Sequence, residues 1–200
     1  MNYIMGNTRK SASISYKWIV FCIFIYFSVS AILAQEIQYG LKFNSNNYEP
    51  EARTSLNLSP DGYLSFPDGF SMTFDAKFHF KDEHIYGYIF RIINDKGSTI
   101  DLVIGDTNLI FSMPSGKIAS NNTLTDVNII PSQWIPIRIN ANIEKEELEI
   151  IVGKYVKKWN TSEVREFNNV EIIFGKINNQ HKQVIDVPDM TIKNLLIADQ

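Results

Sequence analysis

Between residues 70 and 81 the chain reads Phe-Ser-Met-Thr-Phe-Asp-Ala-Lys-Phe-His-Phe-Lys: apolar Phe70, Met72, Phe74, Ala76, Phe78 and Phe80 alternate strictly with polar Ser71, Thr73, Asp75, Lys77, His79 and Lys81. Side chains on an extended strand point to opposite faces with period two, so the stretch predicts a long strand with one dry face and one wet face. A helix would scatter the same phenylalanines around its circumference. Burying these side chains at about 1.5–3 kcal/mol each, less for Ala76, is worth on the order of 10 kcal/mol, comparable with the net stability of a whole domain. A second apolar layer has to cover that face.

The rest of the chain supplies it. Residues 36–43 alternate Ile37, Tyr39, Leu41 and Phe43, and Leu56/Leu58 and Leu64/Phe66 mark short strands on either side of the turn Ser59-Pro60-Asp61-Gly62. Residues 85–93 are apolar in both phases, which predicts a strand covered on both sides. With the strand at residue 70 and those at 100–104 and 109–113, it is expected to form a four-strand antiparallel meander, because parallel neighbours need crossovers of a dozen residues or more. From Trp134 onward Ile135, Ile137, Ile139, Ala141 and Ile143 point inward, and Pro136, Arg138, Asn140 and Asn142 outward. Pro136 hints at an edge strand or the start of one. Leu148, Ile150 and Val152 return after a charged turn, and residues 153–169 read as polar loop. Val170, Ile172 and Phe174 form another strand. The last, from about 184 to 198, changes apolar phase between Ile192 and Leu195, as a β-bulge would make it. Roughly a dozen strands spaced 8–12 residues apart predict an all-β fold, a two-sheet antiparallel β-sandwich.

Residues 1–17 carry Arg9, Lys10, Lys17 and no acid, and residues 18–34 are almost wholly apolar and end in small side chains. That order predicts a secretory signal peptide over residues 1–34, cut after Ala34 or, as second choice, after Ala31, ahead of a domain at 35–200. An uncleaved anchor is the competing reading, since the run nearly reaches the ~18–20 residues that span a bilayer. Either way the domain is expected outside the cytoplasm: periplasmic, cell-surface or secreted. Cys22 lies inside the apolar run after the bulky Phe21, which does not suit lipoprotein processing, and no cysteine follows it. The domain must therefore hold together by its core alone. Losing the leader takes the formal charge from −3 to −6. With no Lys/Arg cluster, that balance argues against nucleic acid or an anionic membrane as partner, leaving membrane contact only through an uncleaved leader.

Several segments recur in a familiar order: Arg53-Thr54-Ser55-Leu56-Asn57-Leu58, the strand at residue 70, Gly87-Tyr88-Ile89-Phe90-Arg91-Ile92, Trp134-Ile135-Pro136-Ile137, Phe174-Gly175 and Val187-Pro188-Asp189-Met190-Thr191-Ile192. Together they resemble the laminin-G-like, concanavalin A-like lectin/glucanase modules of secreted Bacteroidota proteins, over nearly all of residues 36–199. The resemblance implies a jelly-roll sandwich. In such proteins the module often precedes another domain, sometimes a Kelch-type β-propeller, so a chain stopping at Gln200 reads as a short protein or as a fragment lacking a C-terminal domain.

Glucanases of this fold carry Glu-x-Asp-x-x-Glu on one strand, where alternate carboxylates share a face. The nearest match is Glu147-Leu148-Glu149-Ile150-Ile151-Val152, in which Val152 replaces the third acid. Paired acids beside a charged turn are the ordinary wet face of a strand, so no enzyme is expected. His79, His84 and His181 lack zinc spacing, and no GxSxG, phosphate loop or mature thiol is present. No cofactor is expected beyond a calcium ion, which the resemblance implies at a loop rim. Asp95, Asp101 and Asp106 near consecutive turns are its candidate ligands, although turns favour Asp in any case. For carbohydrate, exposed aromatics stack on sugar faces and amides bind hydroxyls. Trp159 is the most loop-like tryptophan, with Tyr155 and Tyr48 behind it, whereas Trp134 reads as structural. The wet faces Thr73/Asp75/Lys77/His79 and Arg138/Asn140/Asn142 are candidates to line a polar groove. The expectation is an exported, non-catalytic module that binds carbohydrate or a protein partner at the cell envelope. A structural module positioning a neighbouring domain is the alternative, and a glycoside hydrolase stands third.

Overall fold

A computed structural model describes residues 40–200 apart from 46, 80–85, 106–107, 113–121, 125–126, 128, 179–182 and 185. The expected leader, His84, Asp106 and His181 thus lie outside the described residues. What is described belongs to one compact unit, Gly40–Gln200.

Two antiparallel sheets face one another. The first runs β1 (Leu41–Phe43), β15 (Met190–Asp199), β4 (Gly69–Phe78), β9 (Trp134–Asn142), β10 (Glu147–Val152) and β11 (Tyr155–Asn160). The second runs β2 (Ser55–Asn57), β12 (Asn169–Gly175), β5 (Tyr86–Asn94), β6 (Thr99–Gly105), β7 (Asn108–Ser112) and β8 (Asn122–Leu124), with β3 (Leu64–Ser65) also on β12. A short hairpin joins β13 (Ile177–Asn178) to β14 (Gln183–Val184).

The dry face of β4 is buried as its alternation demands, with Phe70, Met72, Phe74, Ala76 and Phe78 at 2% exposure or less. It meets the other sheet edge to face. The Phe74 ring stands 5.1 Å from Phe174 and 6.1 Å from Phe90, both near perpendicular, the arrangement that aromatic quadrupoles favour. Ile137, Ile139 and Ala141 of β9, and Leu148, Ile150 and Val152 of β10, complete that side of the core.

Four expectations need correcting. The meander is β5–β6–β7–β8 and excludes β4, which pairs with β15 and β9 in the other sheet. A short loop turns a chain back equally well within one sheet or from one sheet to the next. Of the two readings of Pro136 the entry position holds, since it is the third residue of β9, but the edge does not: β9 lies between β4 and β10, and the Pro136 carbonyl accepts the Gly153 N–H at 2.9 Å. The polar stretch 153–169 contains the edge strand β11 and a 3₁₀ segment, Ser162–Asn168, capped by Thr161. The final strand begins at Met190. Its bulge lies where the phase change placed it: Lys193 opposes Asp75 and Leu196 opposes Thr73, so Asn194 and Leu195 share the space across from Phe74. Asn194 takes φ 54°, a left-handed conformation that Asn tolerates better than most residues.

Candidate functional site

Pairing of β4 with β9 puts the polar halves of two amphipathic strands side by side on the outer face of the six-stranded sheet. The register sets Asp75 against Pro136, Thr73 against Arg138 and Ser71 against Asn140. On the flank, the β15 bulge turns Lys193 and Asn194 to this same face, and the Asn194 amide donates to Asp75 at 2.7 Å. Thr73, Asp75, Pro136, Arg138, Ile151, Gly153 and Asn194 line a cleft of about 430 Å³. A second, of about 240 Å³, lies against Trp134, Pro136, Gly153, Lys154 and Tyr155. The two share Pro136 and Gly153 and so adjoin to make a groove beside Trp134, the smaller also touching Val127, Ile135 and Val152 from the dry side of the strands.

Cations crowd its Trp134 end. Lys193 Nζ lies 4.1 Å and Lys77 Nζ 4.7 Å from the indole centroid, both cation–π contacts. The indole N–H is buried and meets no acceptor among the described residues. Beside it His79 bonds the Thr191 hydroxyl at 2.8 Å. Burial holds the His79 imidazole below its ordinary pKa; Lys77 and Lys42 push it down further and Asp189 opposes them. Among the described residues no direct ion pair holds Arg138 or Lys193, and Arg138 acts on Glu149 through its charge alone.

One row further on, the face is already satisfied. The Ser71 hydroxyl donates to the Asn140 side-chain oxygen (2.8 Å), the Asn140 amide donates to Glu149 (2.6 Å), and Lys158 bridges Glu147 and Glu149 at 2.9 and 3.0 Å. Burial pushes the Glu149 carboxyl up, but the bonds from Lys158 and Asn140 outweigh it and hold it below its ordinary pKa. The glutamate pair nearest to a glucanase triplet is therefore tied into a salt-bridged rung.

The groove gathers some sequence candidates and leaves others aside. Arg138 and His79 stand on the face as the alternation placed them, and Asn140 stands there with both ends of its amide engaged. Trp159 lies on the inner side of β11 instead of in a loop, its ring stacked on Phe111 at 5.0 Å and 21°. Tyr155 is half-buried and reaches the smaller cleft, while exposed Tyr48 follows β1, the opposite edge strand from β11. Trp134, read from sequence as structural, is the groove's own aromatic. Parity marked it, since Arg138 lies four residues on and even-numbered positions of β9 face out. Of the calcium candidates, Asp95 sits in the β5–β6 turn, whereas Asp101 lies within β6 and takes both arms of Arg91, one at 2.8 Å. The described residues contain no group of three or more His, Cys, Asp or Glu placed to hold a metal.

The two facing antiparallel sheets have the laminin-G-like, concanavalin A-like sandwich fold, with a charged cleft on the six-stranded one. Comparison of the sequence with protein-family models and with curated proteins finds no match. Solved structures do match. The alginate lyase PA1167 from Pseudomonas aeruginosa aligns with a TM-score of 0.55 at 14% identity, over 81% of this chain and 82% of that one. A mutant of alginate lyase Aly36B in complex with alginate tetrasaccharide aligns at 0.54 and 12%, over 80% of each chain. Domains LG4–5 of the mouse laminin α1 chain align at 0.56 and 16%, over 80% of this chain and 41% of that one. At these identities the likeness is one of fold.

The lyases overturn the expectation that the chain is no enzyme. A missing glucanase triplet tests only for two-carboxylate hydrolysis, and this fold also carries catalysts of another reaction class. No described helix is long and apolar enough to cross a membrane.

Proposed function

We propose that the chain is an exported carbohydrate-binding domain that holds a polysaccharide along the groove over β15, β4, β9 and the β10–β11 turn. The carrying observation is the pair of adjoining clefts of about 430 and 240 Å³, the larger lined by apolar Pro136 and Ile151 together with polar Thr73, Asp75, Arg138 and Asn194. Sugars present alternating hydroxyls and C–H faces, and a cleft that mixes hydrogen-bonding groups with flat apolar ones suits them. With strands about 4.8 Å apart, lining residues on β15, β4, β9 and the β10–β11 turn fall within the span of several sugar units.

A glycan array followed by calorimetric titration of residues 35–200 tests it. The expected result is binding to at least one polysaccharide, weakened roughly tenfold or more by Arg138→Ala, as loss of a charged hydrogen bond would make it. The same titrations are followed by ultraviolet absorbance and product analysis, so that cleavage of the bound chain is scored too. Binding to no glycan, or binding indifferent to Arg138→Ala and Thr73→Val together, overturns the groove.

A further inference from the structure

A single register row crosses the six-stranded sheet through the groove. Val156 of β11 opposes Ile151 of β10, which opposes Arg138 of β9; Arg138 opposes Thr73 of β4, and Thr73 opposes Leu196 of β15. The middle three point outward, since Ile150, Val152, Ile137, Ile139, Met72 and Phe74 on either side of them are buried in the core. Leu196, 63% exposed, and Val156, 52% exposed, stand at the two ends, and they are the most exposed large hydrophobic side chains among the described residues. Arg138 at the centre is exposed and has no direct ion pair among the described residues. The neighbouring row is the opposite case: Lys158, Glu149, Asn140 and Ser71 are bonded to one another in a line. One exposed aliphatic side chain is ordinary on a protein surface. Two at the ends of one row, with Ile151 and the Thr73 methyl between them and a guanidinium at the middle, make a line of contacts.

Resting on the groove reading above, we propose that this row selects acetylated sugars. The Arg138 guanidinium donates to an acetyl carbonyl, and the acetyl methyl packs on Ile151, one strand away at about 4.8 Å. Val156 and Leu196 take further methyls along the chain. Three other ligand chemistries use only part of the row. Bare hydroxyls leave Val156 and Leu196 in water. A deoxy sugar brings a methyl but no acceptor for Arg138. A carboxylate satisfies Arg138 but loses water beside aliphatic neighbours. An acetyl group, as amide or ester, carries one acceptor and one methyl on the same carbon.

Calorimetry on the intact protein with chitotetraose and cellotetraose tests the row, because the two share a backbone and differ by the acetamido group. Acetylated glucomannan and the same polymer after alkaline deacetylation are the ester counterpart. In at least one pair the acetylated member is expected to bind roughly fivefold more tightly, the gain of about one buried methyl. That advantage should persist at high salt, where a contact made by charge alone fades. Leu196→Ser and Val156→Ser together should remove most of it with the melting temperature unchanged, since both positions are exposed. Equal affinity within both pairs, or an acetyl preference indifferent to the double substitution, overturns the acetyl row and leaves the groove standing. Array ligands that all lack acetyl groups do the same. Light scattering is expected to show a monomer, and a dimer dispersed by the double substitution overturns the row by making a second copy its occupant. No binding by any of the probes, with no glycan on the array, overturns groove and row together.

Discussion

Lys77 shows what parity can and cannot say about one residue. Its place in the alternation puts it on the wet face, where trimming it to alanine should be nearly silent. The side chain is instead only 3% exposed, its ammonium over Trp134. Long cationic side chains bury their stems along apolar surface while the head seeks a partner. Lys77→Ala is therefore expected to lower stability by about 1–3 kcal/mol, from lost packing and the cation–π contact. A urea midpoint indistinguishable from wild type would refute this. Phe78→Lys, which drives an unpaired charge into the core, should prevent soluble expression altogether. His79 adds a pH dependence. Its folded pKa lies below 6.5, so the unfolded chain binds the proton more readily as pH falls. The stability from neutral His79 is complete above pH 6.5 and drains away as pH falls through the folded pKa. His79→Gln should flatten the melting temperature against pH over that window, and an unchanged slope would show that another group carries it.

Strands were legible where one face is dry and the other wet. β4 and β9 announce themselves by alternation, and even the β15 bulge is written as a phase change. β11 is not, because it is an edge strand whose Val156, Lys158 and Asn160 face solvent and whose inward Lys157 interrupts Tyr155 and Trp159. With little apolar contrast, period two disappears into what resembles loop. Sheet membership was equally hidden, since the β4–β5 connection is chosen by which layer covers the phenylalanines and not by its length. The bulge itself makes a prediction. Deleting Asn194 leaves Lys193 out, Leu195 in, Leu196 out and Ile197 in, which is the regular pleat that the pairing to β4 already observes on both sides. The shortened protein should fold with a melting temperature within about 3 °C of wild type, under roughly 1 kcal/mol for a domain of this size. It should also bind its glycan more weakly, because the Asn194 amide no longer holds Asp75 and the groove loses that wall. Collapse of the fold on deletion would show that the bulge serves packing instead.

The groove itself is a property of the whole molecule. It exists because segments 57 to 73 residues apart in sequence, at β4 and β9, lie in register beside a strand from the far end of the chain. Alternation can name the side chains on each wet face but not which wet faces become neighbours, so the outward position of Arg138 was legible and the cleft it lines was not. The same long-range closure governs how the domain comes apart. One core cluster runs from Phe43 to Ile192 and takes in both sheets, and at the β11 edge Trp159 stacks on Phe111 of the facing sheet. Neither layer has a dry interior without the other. Unfolding in urea should then be a single transition, with far-ultraviolet circular dichroism, dominated by strand, superimposing on the fluorescence of Trp134 outside the sheet and Trp159 within. Phe74→Ala removes the ring that Phe90 and Phe174 both pack against, and it should cost about 3–5 kcal/mol, a large part of the stability of an ordinary domain, without splitting that transition. Two separated transitions, or a dichroism loss that precedes the tryptophan change, would mean that the sheets hold together independently and that the phenylalanine layer is not the common support of fold and groove.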